Sequence, residues 1–481
     1  MAGRLEGVGN HRRQHLANGV FVVAHLIIFA VFMNILTTSH AQTGFLSIDC
    51  GSTQAKYTDN LGLEWVTDNG QYINTGISVK QSFVNVTSVN SSTGGTNQAL
   101  QSFRHFPQHQ SKYCYELPTA PIVSYLIRAT FYMNVDELAQ RPPFQFVAYI
   151  NATEWFTIIS GGGDGQSDLF ITQEAIFYSP GQIMYFCLHP VGGLPFISSL
   201  ELRELTPTMY SYTGSRLQFL DLLLRYNPGA GPLDVVRFPE DSYDRIWQVP
   251  NGRDCSAKNS SCVSSPLTPN TTTTAANNNV PPSVMQDAWL LPNDSIESFD
   301  FYLYFTPQVS VPVLVDALVA VYVKDLNLSD SRPYVINSAL TTGDQSALGL
   351  DTTSGGAINV SHQATMQAIP NLLLSDSIID ITFSLPPDSN HSGGLPLNAF
   401  EAYAQYRFNF SSTNPGDADG IKNLTDSFSL TNWQGDPCTP VPHDWLSCQV
   451  EICALDSQSS PSFQCATQGA FLFSGYVVTT L

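Results

Sequence analysis

Short runs of Val, Ile, Tyr, Phe and Thr, each closed by Gly, Pro, Asn or Ser, recur along nearly the whole chain. Phe45–Ile48, Ser124–Tyr132, Phe144–Ile150, Trp155–Ile159 and Phe196–Leu205 are clear examples. β-Branched and aromatic residues fit a pleated, half-buried surface, and the punctuating residues turn the chain between such runs. Helical periodicity is scarce. Its best case runs from about Asp419 to Phe428, with Asp417 or Asp419 as an acidic N-cap. The rhythm predicts an all-β protein. With 43% hydrophobic and 12% charged residues, a packed interior is affordable and general disorder is not expected. A chain of 481 residues is too long for one core, so two or more domains are expected.

The runs also echo one another. Tyr125–Phe131 is answered by Phe299–Phe305, Phe146–Ile150 by Val319–Val323, and Ile197–Leu202 by Leu397–Ala402. The order is kept, as tandem domains of one architecture would keep it. Antiparallel strands at this spacing suggest a β-sandwich or jelly roll for each copy, with the junction near Tyr210–Asp221. Ser256–Asn279, rich in Ser, Thr and Asn, reads as a solvated surface loop.

The N-terminus reads as an export signal. Arg4, Arg12 and Arg13 precede an apolar run from Val20 to Leu36, and small residues at Ser39 and Ala41 suit cleavage before Gln42. His25 and Asn34 weaken the alternative of an uncleaved anchor. Further on, Phe299–Val323 is broken by Asp300, Pro307, Pro312 and Asp316, and reads as strands instead of a membrane span. Ala470–Leu481 is short, with Thr479 and Thr480 inside it, which weakens a lipid-anchor reading built on Ser459 and Ser460.

Export gives the asparagines meaning. Sequons begin at Asn85, Asn90, Asn151, Asn259, Asn270, Asn293, Asn327, Asn359, Asn390, Asn409 and Asn423, a density expected of a glycosylated luminal surface. The nine cysteines should mostly pair in an oxidising compartment. Cys438 with Cys448, and Cys255 with Cys262, are the local candidates; of Cys50, Cys114 and Cys187, one is expected to stay a buried thiol. Cys453 and Cys465 lie in the tail. Charge sorts the partners. The 20 basic residues face 40 acidic ones, and loss of residues 1–41 would leave 17 against 39. Such a surface repels phosphate backbones and anionic lipid, which excludes nucleic acid and favours cationic peptides or neutral sugars.

Several longer motifs stand in one order. Gly44–Gly51, Trp65–Asp68, Tyr72–Gly76, Arg104–Pro107, Cys114-Tyr115 and Tyr125–Ala129 occupy the first part. Phe196–Arg203 and Arg237–Trp247 (Arg-Phe-Pro-Glu-Asp-Ser-Tyr-Asp-Arg-Ile-Trp) follow, and Asn432–Cys438 (Asn-Trp-Gln-Gly-Asp-Pro-Cys) comes before Trp445 and Cys448. Together they make residues 44–449 resemble the malectin-like extracellular region of plant leucine-rich-repeat receptor kinases. The resemblance implies two tandem malectin-type β-sandwich (jelly-roll-like) domains, at 44–208 and 209–412, behind a signal peptide at 1–41. It also implies a short Cys-containing helical segment at 413–449 that would lead into leucine-rich repeats. Residues 450–481 form an unassigned tail with no leucine repeat, and no kinase motif is found, so a truncated or decoy form of such a receptor is one expectation.

Other chemistries fit the residues poorly. Read as a calcium loop, Asp417, Asp419 and Asn423 would need Pro415 as first ligand, so helix capping is the expected role. His105 and His109 flank Pro107 with no following Glu and read as loop residues, not zinc ligands. Asp164 and Asp168, beside Gly161–Gly165, read as turn formers. No cofactor and no catalytic residue is expected. Recognition remains. Aromatic rings at a sandwich rim can stack on sugars, and the resemblance points to Tyr72 and Tyr132 as ligand-binding candidates. Gly192-Gly193-Leu194-Pro195 lacks the aspartate that a malectin pocket would place nearby. The leading expectation is therefore a secreted, non-catalytic recognition protein of the plant cell surface or wall. Its partner would be a basic peptide or co-receptor, with a cell-wall glycan as the alternative.

Overall fold

The computed structural model describes residues 43–81, 98–107, 110–160, 167–210, 218–231, 234–249, 261–264, 278–291, 298–299, 315–323, 334–342, 356–360, 365–374, 379–384, 395–407, 412–428, 435–455, 463–465 and 473–480. The chain divides into Met1–Phe45 and Leu46–Leu481, and the architecture belongs to the second unit. The expected export signal lies outside the described residues.

Strands dominate. The first are β1 (Phe45–Asp49), β2 (Lys56–Thr58), β3 (Glu64–Thr67), β4 (Ile77–Lys80), β5 (Ser102–His105) and β6 (Tyr113–Pro118). Then come β7 (Val123–Met133), helix α1 (Val135–Ala139), β8 (Gln145–Ile150), β9 (Thr153–Ile159), β10 (Leu169–Ser179) and β11 (Ile183–Gly192). β12 (Phe196–Ile197), β13 (Ser199–Leu205), β14 (Gln218–Tyr226), β15 (Ser261–Ser264), β16 (Asp287–Leu291), β17 (Ser298–Phe299) and β18 (Val315–Val323) follow. The rest are β19 (Tyr334–Thr342), β20 (Gly356–Val360), β21 (Thr365–Leu374), β22 (Ile379–Ser384), β23 (Leu395–Leu397) and β24 (Ala399–Arg407). After helix α2 (Pro415–Phe428) stand β25 (Ser447–Leu455), β26 (Phe463–Cys465) and β27 (Phe473–Thr480). The protein is all-β, as the strand rhythm predicts.

The strand order reveals a repeat. A four-stranded sheet β6-β11-β8-β9 is matched by β17-β22-β19-β20, and a three-stranded sheet β12-β5-β4 by β23-β16-β15. The triplet β13-β7-β10 is matched by β24-β18-β21. Each element therefore recurs eleven strands later. Both triplets lie in one ten-stranded sheet, ordered β2-β3-β1-β13-β7-β10-β14-β24-β18-β21. β14 is the seam: it pairs with β24 on one edge and with β10, through Ala175↔Asp221 and Ile176↔Leu220, on the other. Of the three sequence echoes, the strands at Ile197–Leu202 and Leu397–Ala402 are true counterparts. Val319–Val323 instead sits in β18, the counterpart of β7 and not of β8, and of Phe299–Phe305 only Phe299, at the end of β17, lies among the described residues. Apolar β runs resemble one another, so register comes from pairing and not from composition.

β7 shows why the chain layers as it does. Tyr125, Ile127, Ala129, Phe131 and Met133 alternate onto one face and enter the main core. There Phe131 lies 5.7 Å from Phe146 of β8 and 5.8 Å from Phe156 of β9, ring centre to ring centre. The large sheet and the β6-β11-β8-β9 sheet thus form a sandwich with an aromatic interior. The other face of β7 carries Leu126, Arg128, Thr130 and Tyr132, which are also buried.

The C-terminal helix starts earlier than its sequence suggests. It opens at Pro415, and Asn414 caps it: its side chain accepts the Gly416 N–H at 2.9 Å. Proline suits a first helical position, which needs no N–H and a fixed φ, so neither Asp417 nor Asp419 is the cap.

Candidate functional site

The most concentrated chemistry lies on the second face of the ten-stranded sheet, across the seam. Arg128 of β7 stands between its register partners Glu174 of β10 and Glu201 of β13, at 2.9 and 3.0 Å. Arg203, two residues along β13, shares Glu201 and reaches Asp244 at 2.8 Å. Arg225 of β14 donates to Glu401 of β24 at 2.6 Å. It also lies 2.5 Å from Glu174, an ion pair whose angle falls outside hydrogen-bond geometry.

The segment Arg237–Trp247 covers this face. Its Asp244, held at φ 55°, accepts from Arg237 twice at 2.9 Å, and Asp241 binds Arg245 at 2.9 Å and the Trp247 indole at 2.7 Å. Tyr210, Tyr322 and Tyr403 all donate to Glu401. Five guanidinium groups (Arg128, Arg203, Arg225, Arg237, Arg245) thus meet five carboxylates (Glu174, Glu201, Asp241, Asp244, Glu401) among the described residues, and none is more than 5% exposed. Burial disfavours charge on Asp244, but the guanidiniums of Arg237, Arg203 and Arg128 outweigh it and hold the carboxyl well below its usual range. Glu401 is lowered in the same way, against burial, by Arg225 and Arg245. Guanidinium and carboxylate are matched in number, so the network can lock strands in place. The signal for it was Arg128 inside the apolar run Tyr125–Phe131, and Arg225 after Leu222–Leu224.

A second cluster joins the N-terminal motifs. Asp68 accepts the Gly51 N–H at 3.1 Å and the Tyr115 hydroxyl at 2.9 Å, and pairs with Arg104. Cys50 beside it is fully buried, and burial pushes its thiol up. It is the free cysteine among the described residues, whereas Cys114 pairs with Cys187. Asp49 and Asp221 are buried carboxyls, each pushed up to about 7 by that burial.

The third cluster is at the Gly-Asp-Pro-Cys motif. Lys112, 1% exposed, donates from Nζ to the carbonyls of Asp436 (2.5 Å), Pro437 (3.3 Å), Thr439 (2.7 Å) and Val441 (2.7 Å). Burial pushes its ammonium down to about 7, against the pull of Asp436.

The candidate residues from sequence are scattered. Tyr132 is 0% exposed, its hydroxyl bonded to Asp168 at 2.9 Å. Tyr72 is 6% exposed in the main core, so neither ring presents a face at the surface and the two belong to different clusters. Asp168 also accepts the Val135 N–H at 2.9 Å, fastening β7 to α1. His105 ends strand β5 and is not in a loop; burial pushes it down to about 4, helped by Arg141. Cys438 and Cys448 are bonded as expected. Cys255 lies outside the described residues, as does the Cys262 side chain. Of the sequons, Asn151 is half-buried in the β8–β9 turn, with Oδ1 accepting the Tyr185 N–H at 2.9 Å, and Asn423 is exposed on α2. Asn359 lies on β20, of which the backbone alone is described, and Asn85, Asn90, Asn259, Asn270, Asn293, Asn327, Asn390 and Asn409 fall outside. Asp164 and His109 fall outside too. No cluster of three or more metal-ligating side chains occurs among the described residues.

Residues 48–404 match the family described as the malectin-like domain. The chain belongs to the malectin-like family. Similar proteins in Arabidopsis thaliana include the probable LRR receptor-like serine/threonine-protein kinases At1g67720 and At1g05700. They are 26% and 27% identical, over 89% and 90% of this chain and 44% and 46% of theirs. The malectin-like chain thus spans about half the length of these relatives. Its fold resembles that of the plant receptor-like kinase FER, at TM-score 0.56 and 14% identity over 75% of this chain and 96% of that one. It also resembles the ANX2 ectodomain from Arabidopsis thaliana, at TM-score 0.55 and 13% identity over 75% and 97%. A third structure, of plant peptide RALF23 in complex with FER and LLG2, matches at TM-score 0.55 and 15% identity over 77% and 98%. Among the described residues, no helix of this malectin-like protein is long and apolar enough to cross a membrane.

Proposed function

We propose that this malectin-like chain is a non-catalytic recognition module of the receptor-ectodomain type, working outside the cell on a basic peptide and an accompanying protein. The observation that carries the reading is the shared architecture with a structure solved as peptide, receptor-like kinase and LLG2 together. Charge supports the peptide's sign: 40 acidic residues against 20 basic ones attract a cation over long range. The two disulfides among the described residues suit an oxidising compartment.

The test is direct. The immobilised chain is exposed to a panel of basic secreted peptides, alone and with a candidate co-receptor ectodomain. Saturable binding by at least one member supports recognition. Failure of every peptide in both settings would reject it.

A further inference from the structure

The Gly-Asp-Pro-Cys motif follows α2 near the end of the described chain, yet it docks on strands from the beginning. Each of its residues has a distinct part in that contact. Gly435, at φ 88°, lies so close to the Cys114–Cys187 bond that a Cβ there would come within 2.8 Å of the Cys114 sulfur. Its N–H points to Glu116 of β6 at 3.4 Å. Asp436 turns its carboxylate inward, accepting from the Thr413 N–H at 2.8 Å, the Thr413 hydroxyl, and the N–H groups of Cys438 and Thr439. With its donors bound inside, the turn directs carbonyls outward. Four of them converge on Lys112, which immediately precedes β6. Cys438 then closes the turn to Cys448.

A lysine ammonium has three protons and no acceptor, and a cage of carbonyl oxygens complements its charge and its donors. An apolar side chain at residue 112 would leave those carbonyls without their donor in a buried place. We propose that Lys112 and the Gly435–Cys438 turn form an intramolecular latch. The latch fixes residues 435–448 on the N-terminal sandwich, so that sandwich sets where the chain beyond Cys448 departs. The strand that precedes the segment in sequence, β24, does not set it. The latch converts the motif from a connector into a docked part of the fold, joining residues more than 320 apart in sequence.

Hydrogen exchange followed by mass spectrometry on the full chain tests this, comparing the native protein with Lys112→Met and Lys112→Arg. In Lys112→Met, amides of residues 437–446 are expected to exchange about tenfold faster or more, while those of β7 keep their protection. Lys112→Arg, cationic but wider, is expected to fall between. Gly435→Ala is the second variant, since its Cβ displaces the turn from Cys114 with Lys112 intact, and it should speed the same amides. If Lys112→Met does not fold, Gly435→Ala decides alone. Exchange at 437–446 within about twofold of native in a folded Lys112→Met or in Gly435→Ala overturns the latch.

Discussion

Glu174 of β10 and Arg225 of β14 lie 2.5 Å apart across the seam where the two strand blocks become one sheet. β10 and β14 share few register pairs, so backbone pairing alone holds this seam weakly. The buried charges around it supply the rest. Arg225 extends the connection to Glu401, and Glu174 extends it to Arg128, Glu201 and, through Arg203, to Asp244.

Asp244→Asn keeps the shape of the side chain and removes a charge shared by Arg128, Arg203 and Arg237. Breaking a buried ion pair by neutralising one partner costs about 3–5 kcal/mol. Chemical denaturation should show a loss of that order, and Glu64→Gln, in the exposed pair with Lys56, should cost under about 1 kcal/mol.

Asp221 gives a pH signature. Burial raises it from an ordinary 3.8 to about 7, so the folded state holds its proton more tightly than the unfolded chain. Its contribution is full below 3.8 and is lost as pH rises through about 7. Asp221→Asn keeps the acceptor for the Trp155 indole and the Gln173 amide, both bonded to Oδ1, and has no proton to lose. Thermal melts at pH 4.5 and 7.5 should therefore differ less in the variant, by on the order of a few kcal/mol of stability.

Gly51 sits at φ 81° with the Phe103 carbonyl oxygen 2.3 Å from where a Cβ would lie. Gly51→Ala is expected to destabilise by more than about 1 kcal/mol, measured by denaturant midpoint, because neither the backbone nor the space suits alanine. It would also shift the N–H that Asp68 holds.

Strand content and tandem organisation could be read from the sequence because both rest on local composition and order. The register of the repeat could not. Phe146–Ile150 and Val319–Val323 look alike as apolar runs, and only pairing shows that β18 answers β7. The motif Arg237–Trp247 was visible as a string, but its carboxylates are read as a lid only when Arg128 and Arg203 arrive from distant strands. Tyr72, in a turn, and Tyr132, in β7, are both buried, because which way a side chain faces depends on tertiary pairing that its sequence neighbours do not specify. Lys112 carried no local signal at all, since its acceptors lie more than 320 residues away.

Recognition of a cationic partner by an acidic scaffold is the function we propose for this chain. Calorimetric titration of the chain with basic peptides at about 50 and about 150 mM salt tests it most directly, because screening shortens the reach of surface charge over that range. Saturable binding that weakens severalfold at the higher salt, with neutral peptides of equal length binding less, is the predicted result. Equal affinity for basic and neutral peptides, unchanged by salt, would contradict it.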